Sequence, residues 1–181
     1  MKHLSKLLIL LLLICSCEET KKEKMESLVS EWEGRVIAFP SRSVFTVQGN
    51  DTIDFFFSRT DYRIVTYVDS VECACDDLKL PDWKKFMQIT DSLTDNEAHF
   101  IFYFNTKEKD KLRYFTLRDQ FTYPVCFDDG NLFYRLNQFC TGLPVTTFLL
   151  DVNDKVITMG DPINDSDTRK QFWNIMASAA K

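Results

Sequence analysis

Residues 62–86 (YRIVTYVDSVECACDDLKLPDWKKF) constrain the fold of this chain more than any other stretch. The β-branched and aromatic run at 64–68 predicts a buried strand, and the polar residues that follow predict its end. Cys73 and Cys75 come next. Apolar residues then recur at helical spacing, with charged residues between them, at Leu78, Trp83, Phe86 and Ile89. The pattern therefore predicts two thiols where a strand passes into a helix.

That position matters for thiol chemistry. The first turn of a helix carries unpaired backbone N–H groups and a partial positive charge, which favour a thiolate over a thiol. Because the thiolate is the reactive form, Cys73 and Cys75 are candidate catalytic residues.

These residues resemble the thioredoxin superfamily, most closely the thioredoxin-like lipoproteins of bacterial cell envelopes. In that family a strand of the type YVDS is followed by a cysteine pair and a helix containing L-x-L-P, and here the matching residues are 67–70, Cys73 and 78–81. The resemblance runs from about Asp61 to the C-terminus. It implies an α/β thioredoxin-like fold, with a central mixed sheet flanked by helices, and thiol-disulfide exchange as the activity.

The cysteine pair departs from the family pattern. The family spacing C-x-x-C would place the second cysteine at position 76, where this chain has Asp76, and the pair here is C-x-C. A disulfide at this spacing requires a particular backbone geometry, and a strained disulfide is more easily reduced. Glu72, Asp76 and Asp77 also bring negative charge to the turn, which raises the pKa of nearby thiols. Two interpretations stay open: a working redox pair, or a remnant on a fold that now serves another purpose.

The chain begins with a targeting segment. Lys2 and Lys6 form a basic region, residues 7–14 form an apolar run, and residues 14–17 (ICSC) fit a lipobox whose last cysteine is acylated after cleavage. The predicted organisation is a lipoprotein signal peptide at 1–16, a flexible tether at 17–24, an N-terminal extension at 25–60 and a thioredoxin-like domain at 61–181. Acylated Cys17 would anchor the domain to the bilayer, facing the periplasm or the cell exterior.

Composition narrows the classes of partner. The formal net charge of −5 argues against binding to nucleic acid and against a polybasic membrane-binding face. Without Cys15 and Cys17, four cysteines remain, and they allow three pairings in a compartment that permits disulfides. His99 is the one histidine outside the predicted signal peptide, which excludes a His-rich metal site. The sequence shows neither a phosphate loop nor a cluster of metal ligands, so we expect neither a cofactor nor a metal.

The predicted extension contains a helix and a hairpin. Met25, Leu28, Val29 and Trp32 mark an amphipathic helix that ends at Gly34. Residues 36–39 predict a strand stopped by Pro40, and residues 44–47 and 53–57 predict a hairpin.

The rest of the chain completes a thioredoxin-like layout. The pattern predicts a central strand at 99–104, a surface helix within 106–119, a strand at 123–128 with Cys126 as a small buried hydrophobe, and a short helix after the turn at 128–131. A strand after Pro144, a hairpin around Asn153 and Asp154, and a final helix capped by Asp167 or Thr168 follow.

The segment before that strand implies a binding site. In thioredoxin-like proteins a cis-proline faces the cysteine turn and presents backbone groups to an extended substrate. By this resemblance Pro144 and Val145 are the candidate substrate-binding residues, although one residue more than in the usual Pro-x-Thr-Phe separates Pro144 from Thr147-Phe148. Cys140 lies four residues before Pro144, so it competes with Cys75 as the resolving thiol for Cys73.

The leading functional hypothesis is thiol-disulfide exchange with thiols or disulfides of envelope proteins, through Cys73 with Cys75 or Cys140. The alternative is a redox-inactive binding or adaptor lipoprotein on the same fold. Copper delivery by two thiols is a third hypothesis, and it lacks a third ligand.

Overall fold

The computed structural model describes residues 21–55, 62–69, 78–95, 98–139 and 145–179. In these residues the chain forms twelve helices and strands, which alternate over most of its length. The strands are β1 (Phe45–Val47), β2 (Asp51–Ile53), β3 (Tyr62–Asp69), β4 (Ala98–Asn105), β5 (Val125–Phe127), β6 (Val145–Leu150) and β7 (Val156–Gly160). The helices are α1 (Lys21–Trp32), α2 (Leu80–Leu93), α3 (Lys109–Arg118), α4 (Leu132–Asn137) and α5 (Ser166–Ala179).

The seven described strands form one mixed sheet in the order β2-β1-β5-β4-β3-β6-β7. Strand β4 pairs in parallel with both β3 and β5, while β6 pairs antiparallel with both β3 and β7. Strands β3, β4, β5 and β7 therefore all point the same way, and their carboxyl ends lie at one edge of the sheet. We call this the carboxyl edge.

One face of the sheet packs against α2, α3 and α5, and we call it the α2 face. Alternate residues of β3 and β4, including Ile64, Phe100 and Phe102, point into this layer because side chains alternate across a strand. Phe102 is 1% exposed and makes an edge contact with Trp83 of α2, with ring centroids 5.2 Å apart. Phe172 of α5 is fully buried in the same cluster.

The other face packs against α4 and an aromatic cluster, and we call it the α4 face. Tyr103 of β4 stacks on Phe133 of α4, with ring centroids 4.0 Å apart and planes 13° from parallel. Phe139 contacts both Tyr67 and Phe148. The sheet is thus covered on both faces, as its nearly continuous apolar strands require.

The chain divides into two compact units, Met1–Glu31 and Trp32–Lys181. Helix α1 begins at Lys21, within the predicted tether and four residues before the predicted start at Met25. Gly34, with φ of 81°, follows the end of the helix, and the Arg35 N–H bonds to the Trp32 carbonyl at 3.0 Å. Glycine is favoured at such a left-handed helix terminus, so the predicted ending is confirmed.

The predicted strand at 36–39 is wrong. Only an isolated bridge joins Val36 to Lys155 in this stretch. The Asn137 side chain accepts the Ala38 N–H at 2.7 Å and donates to the Ala38 carbonyl at 2.9 Å, so a side-chain amide satisfies backbone groups that a strand would have paired.

Three smaller predictions also need correction. The hairpin strands have other bounds than predicted: β1 begins at Phe45 and β2 covers 51–53, while residues 56 and 57 of the predicted second strand lie outside the described residues. Ile89 is 44% exposed, because the buried stripe of α2 runs through Met87 and Thr90 instead. Neither Asp167 nor Thr168 caps α5. Asp165 does so, because its carboxylate accepts the Asp167 N–H at 2.9 Å.

Candidate functional site

Most of the predicted site residues lie outside the described residues. These are Cys73 and Cys75 in 70–77, Cys140 and Pro144 in 140–144, and Cys17 in 1–20. The structure does describe the residues that lead into and out of the segment at 70–77, which we call the cysteine segment. It also describes the backbone of Val145.

The cysteine segment begins at the carboxyl edge. Asp69 ends β3 and pairs in register with Asn105, which ends β4. The Asn105 side-chain amide donates to the Asp69 carboxylate at 3.3 Å. This hydrogen bond holds a carboxylate at the residue from which the cysteine segment starts.

The cysteine segment ends at the first turn of α2. Leu78 and Leu80 are 6% and 2% exposed, so both sides of Lys79 are anchored in the core. Lys79 has φ of 46° and ψ of 44°, and its carbonyl accepts the N–H groups of Asp82 and Trp83 at 2.9 and 3.1 Å. The cysteine segment therefore leads into the partly positive end of a fourteen-residue helix.

Val145, predicted to bind substrate, lies beside the end of β3 that leads into the cysteine segment. It begins β6 and pairs with Val68, one residue before the end of β3. The chain that contains Pro144 therefore enters the sheet next to the strand that leads into the cysteine segment.

Three buried titratable side chains lie in one row of the α4 face: Tyr67, Tyr103 and Cys126. Tyr103 pairs with both Tyr67 and Cys126 across neighbouring strands. Burial raises the pKa of Tyr67, and the carboxylates of Asp69 and Asp128 raise it further. Burial likewise raises the pKa of Tyr103, against the opposing effect of a hydrogen bond with Ser43.

Cys126 is the one cysteine that the described residues include. It is 4% exposed, and burial, followed by the charge of Asp128, raises the pKa of its thiol to about 12. A buried thiol with this pKa is protonated and unreactive at neutral pH. The prediction that Cys126 serves as a small hydrophobe is confirmed.

A polar cluster on the α4 face lies at the opposite end of β3 and β4. Arg63 is 6% exposed, forms an ion pair with Asp154 of the β6–β7 turn and pairs in register with His99. Burial, and then the charge of Arg63, lowers the pKa of His99. His99 also contacts the ring of Phe55 at 5.6 Å between centroids, so its environment is structural.

The described part of the chain contains neither a cluster of metal-binding side chains nor a helix that could span a membrane. There, no three His, Cys, Asp or Glu side chains come together in a way that could hold a metal ion. None of the helices in the same residues has the length and apolar character needed to cross a membrane.

Sequence reasoning missed the side chains that fix the two ends of the cysteine segment. Asn105 lies 36 residues from its partner Asp69, and Asn164 lies 85 residues from its partner Lys79. The one sequence signal for Asn105 was that this polar residue directly follows the strand predicted at 99–104. Nothing in the local sequence signals Asn164.

No family model matches the chain, and no curated protein is similar to it in sequence. Solved structures are similar in fold. A Chlorobium tepidum protein named as a thiol:disulfide interchange protein, DsbE, has a TM-score of 0.60 at 14% identity, over 80% of this chain and 97% of that one. A Bacteroides thetaiotaomicron protein named as a protein disulfide isomerase has a TM-score of 0.59 at 15% identity, over 79% of this chain and 87% of that one.

A Bacteroides vulgatus protein named as a thiol-disulfide oxidoreductase has a TM-score of 0.54 at 18% identity, over 77% of this chain and 90% of that one. Identities this low carry information about the fold alone. Together with the mixed sheet and its flanking helices, they show that the chain has a thioredoxin-like fold.

Proposed function

We propose that this protein performs thiol-disulfide exchange through Cys73 on proteins of the cell envelope. The observation that carries the proposal is the junction of β3 and α2, where the cysteine segment runs from a strand end to the partly positive end of a fourteen-residue helix. That end of a helix stabilises a thiolate, which is the nucleophile in the exchange. The solved proteins with this fold that are named for the same chemistry add support.

The proposed reaction has two steps. The Cys73 thiolate attacks one sulfur of a partner disulfide, forms a mixed disulfide and releases the other partner sulfur as a thiolate. A second thiolate, from Cys75 or Cys140, then attacks the Cys73 sulfur and releases the reduced partner. The protein is oxidised by two electrons and the partner is reduced by two. The reverse sequence oxidises a partner dithiol.

Partner binding is proposed at Pro144 and Val145. An extended polypeptide can pair its backbone with such a segment by strand addition, which brings the partner sulfur towards Cys73. The pairing of Val145 with Val68 supports this, because it joins β6 to the strand that precedes the cysteine segment.

Trapping a mixed disulfide tests the proposal. In a Cys75→Ser protein, a covalent complex with envelope proteins should accumulate, and reductant should release it, because the resolving step is blocked. A Cys140→Ser protein tests the other candidate in the same way, and whichever variant accumulates complexes identifies the resolving thiol. Cys126→Ser is the matched control, because it removes only a buried thiol and keeps both candidate resolving thiols. It should therefore accumulate no complex. The absence of Cys73-dependent complexes from both variants would contradict the proposal.

A redox-inactive adaptor is the second candidate function. The C-x-C spacing favours it because a disulfide at this spacing requires a particular backbone geometry. The acidic residues Glu72, Asp76 and Asp77 favour it because negative charge opposes formation of a thiolate. An adaptor should bind its partner equally well when Cys73 is replaced by Ser. An exchange enzyme should lose covalent capture in that variant.

We also propose that acylated Cys17 anchors the protein to a membrane, after removal of residues 1–16. The lipobox at 14–17 supports this. Metabolic labelling with a fatty acid should mark the protein that remains after removal of residues 1–16, and Cys17→Ala should lose the label and move to the soluble fraction. A labelled Cys17→Ala protein would contradict the anchor.

We expect no binding to nucleic acid, given the net charge of −5.

A further inference from the structure

A buried hydroxyl group without a partner lies on the α4 face near the carboxyl edge. Tyr67 is 2% exposed, and its hydroxyl forms no hydrogen bond within the part of the chain that the structure describes. Its ring centroid lies 6.0 Å from that of Tyr134 and 5.2 Å from that of Phe139. Burial without a partner costs free energy, because the hydroxyl loses its hydrogen bonds to water. A bound group that hydrogen-bonds to this hydroxyl would remove the cost.

Polar side chains lie next to this hydroxyl, at the edge itself. Asp69 is two residues after Tyr67 on β3, so both side chains point to the α4 face. Asp69 pairs in register with Asn105, whose amide donates to its carboxylate at 3.3 Å. Asp128 directly follows β5, and its N–H bonds to the Phe104 carbonyl at 2.9 Å, so Asp128 continues the row across the sheet. We call Tyr67, Asp69, Asn105 and Asp128 the edge cluster.

The edge cluster carries negative charge close to the hydroxyl. Burial, and then the charges of Asp69 and Asp128, raise the pKa of the Tyr67 phenol. The Asn105 side chain opposes this rise, without reaching the geometry of a hydrogen bond to the phenol. Both carboxylates therefore lie near enough to the Tyr67 hydroxyl to act on the same bound group.

Asp128 is a buried carboxylate without a cation. It is 6% exposed, and its oxygens accept the N–H groups of Phe133 and Tyr134 at 3.0 and 3.2 Å. A carboxylate can accept about four hydrogen bonds, so these two leave room for more. Asp128 forms no ion pair with any residue that the structure describes. Because buried carboxylates are usually paired, the edge cluster should attract a cation.

The chemistry of the edge cluster suits an ammonium group. An ammonium is a compact charge with three N–H donors, and the cluster offers phenol and carboxylate oxygens as acceptors. The aromatic rings of Tyr67 and Tyr134 favour a cation further, because the faces of such rings are negative. Asp69, Asn105 and Tyr134 are only partly buried, so the cluster extends to the surface of the protein.

We propose that the edge cluster binds a primary ammonium group. The Tyr67 hydroxyl and the Asp128 carboxylate accept its N–H groups, and Asp69 adds a second negative charge. The ammonium belongs to a lysine side chain of a partner protein or to a free alkylamine, which share this chemistry. The edge cluster contains no cysteine, so binding does not rest on the proposed exchange reaction.

The test is an NMR titration of the full chain with three probes. These are Nα-acetyl-lysine amide, n-butylammonium and the uncharged Nα-acetyl-norleucine amide. We expect a saturable shift of the Tyr67 ring resonances with both amines and none with the norleucine derivative. Tighter binding of the lysine derivative than of n-butylammonium would identify a polypeptide lysine as the natural group, and the reverse order would identify a free amine.

Three variants locate the site, with binding followed at the ring of Tyr134. Tyr67→Phe removes only the hydroxyl and should weaken binding by about tenfold, the scale of one hydrogen bond to a charged group. Asp69→Asn should weaken it by about threefold, since this carboxylate is partly exposed. Asp129→Asn is the matched control, because Asp129 adjoins Asp128, is 71% exposed and pairs with Lys109, so this variant should bind like the wild type. Thermal unfolding should show that all three variants fold.

Three results would overturn the proposal. The first is the absence of a saturable shift in the wild type, and the second is equal binding of the norleucine derivative. The third is undiminished binding in Tyr67→Phe, which would mean that the hydroxyl bonds to water alone. A protein that binds the lysine derivative as expected, but whose Cys73 never exchanges with glutathione disulfide, would support the ammonium site while the proposed function fails.

Discussion

Both faces of the sheet are covered by helices or aromatic side chains, and they differ in chemistry. The α2 face is filled by aromatic and aliphatic side chains of β3, β4, α2, α3 and α5. The α4 face includes Arg63, His99, Tyr103 and Cys126, whose polar atoms are buried or partly buried. The α2 face therefore supplies mainly packing, whereas on the α4 face the buried Cys126 and the partly buried His99 also make stability depend on pH.

The largest expected effect belongs to the α2 face. Phe102→Ala removes a ring that contacts Trp83 and Phe121, and we expect a loss of about 3 to 5 kcal/mol in the free energy of unfolding. Urea denaturation at pH 7 measures it. A loss below about 1 kcal/mol would mean that this face is loosely packed, contrary to the close contacts described above.

The next effect concerns the buried ion pair of the α4 face. Asp154 has φ of 63°, a conformation that Asn also tolerates, so Asp154→Asn keeps the backbone and the size of the side chain. The change leaves the Arg63 guanidinium buried without its carboxylate partner. We expect a loss of about 2 to 3 kcal/mol, less than for a fully buried pair because the Asp154 side chain is 31% exposed. Denaturation at pH 7 reports the loss. Asp129→Asn is the control. Its partner Lys109 is 42% exposed, so loss of this surface ion pair should have little effect on stability.

At alkaline pH the protein should lose stability through the buried thiol of Cys126 on the α4 face. The pKa of Cys126 is raised to about 12 from 9.0, so the folded protein disfavours the thiolate. The corresponding stability is fully present below pH 9.0 and is lost as pH rises towards 12. Cys126→Ser, which does not titrate there, should lose about 1 kcal/mol less than the wild type between pH 8 and 10. Equal slopes of stability against pH in the two proteins would contradict the burial of this thiol.

The smallest effect is expected from His99 at acidic pH. Its pKa lies below the ordinary value of 6.5, so the unfolded chain binds the proton more readily than the folded protein. Stability should therefore be highest above pH 6.5 and fall as pH drops below it, towards the lowered folded pKa. His99→Gln should flatten this dependence when urea midpoints are compared from pH 7 to 5. An unchanged slope in the variant would assign the dependence to other groups.

Much of the fold could be predicted from the sequence, because it depends on local patterns. The apolar runs that became β3 and β4 are long enough to identify buried strands, and the stripe through Trp83 and Phe86 identifies α2. The thiol-bearing junction follows from the order of these elements. Cys126 was correctly predicted as a core residue because it lies inside an apolar strand.

The features that were missed depend on contacts between residues far apart in the chain. The strand predicted at 36–39 has suitable residues, and the Asn137 side chain nevertheless bonds to both backbone groups of Ala38. Ile89 is apolar and faces solvent, since the rotation of α2 is fixed by what it packs against. Lys79 and Asn164 meet only after β7 and α5 are placed, so no local pattern could have indicated their contact.

The most direct test of the central claim is the redox state of each cysteine across a series of glutathione buffers. Differential alkylation followed by mass spectrometry would measure Cys73, Cys75, Cys140 and Cys126 separately. We expect Cys73 to change from thiol to disulfide together with either Cys75 or Cys140, while Cys126 stays a thiol and reacts only after unfolding. If Cys73 stays in one state across the whole series, the protein does not perform thiol-disulfide exchange.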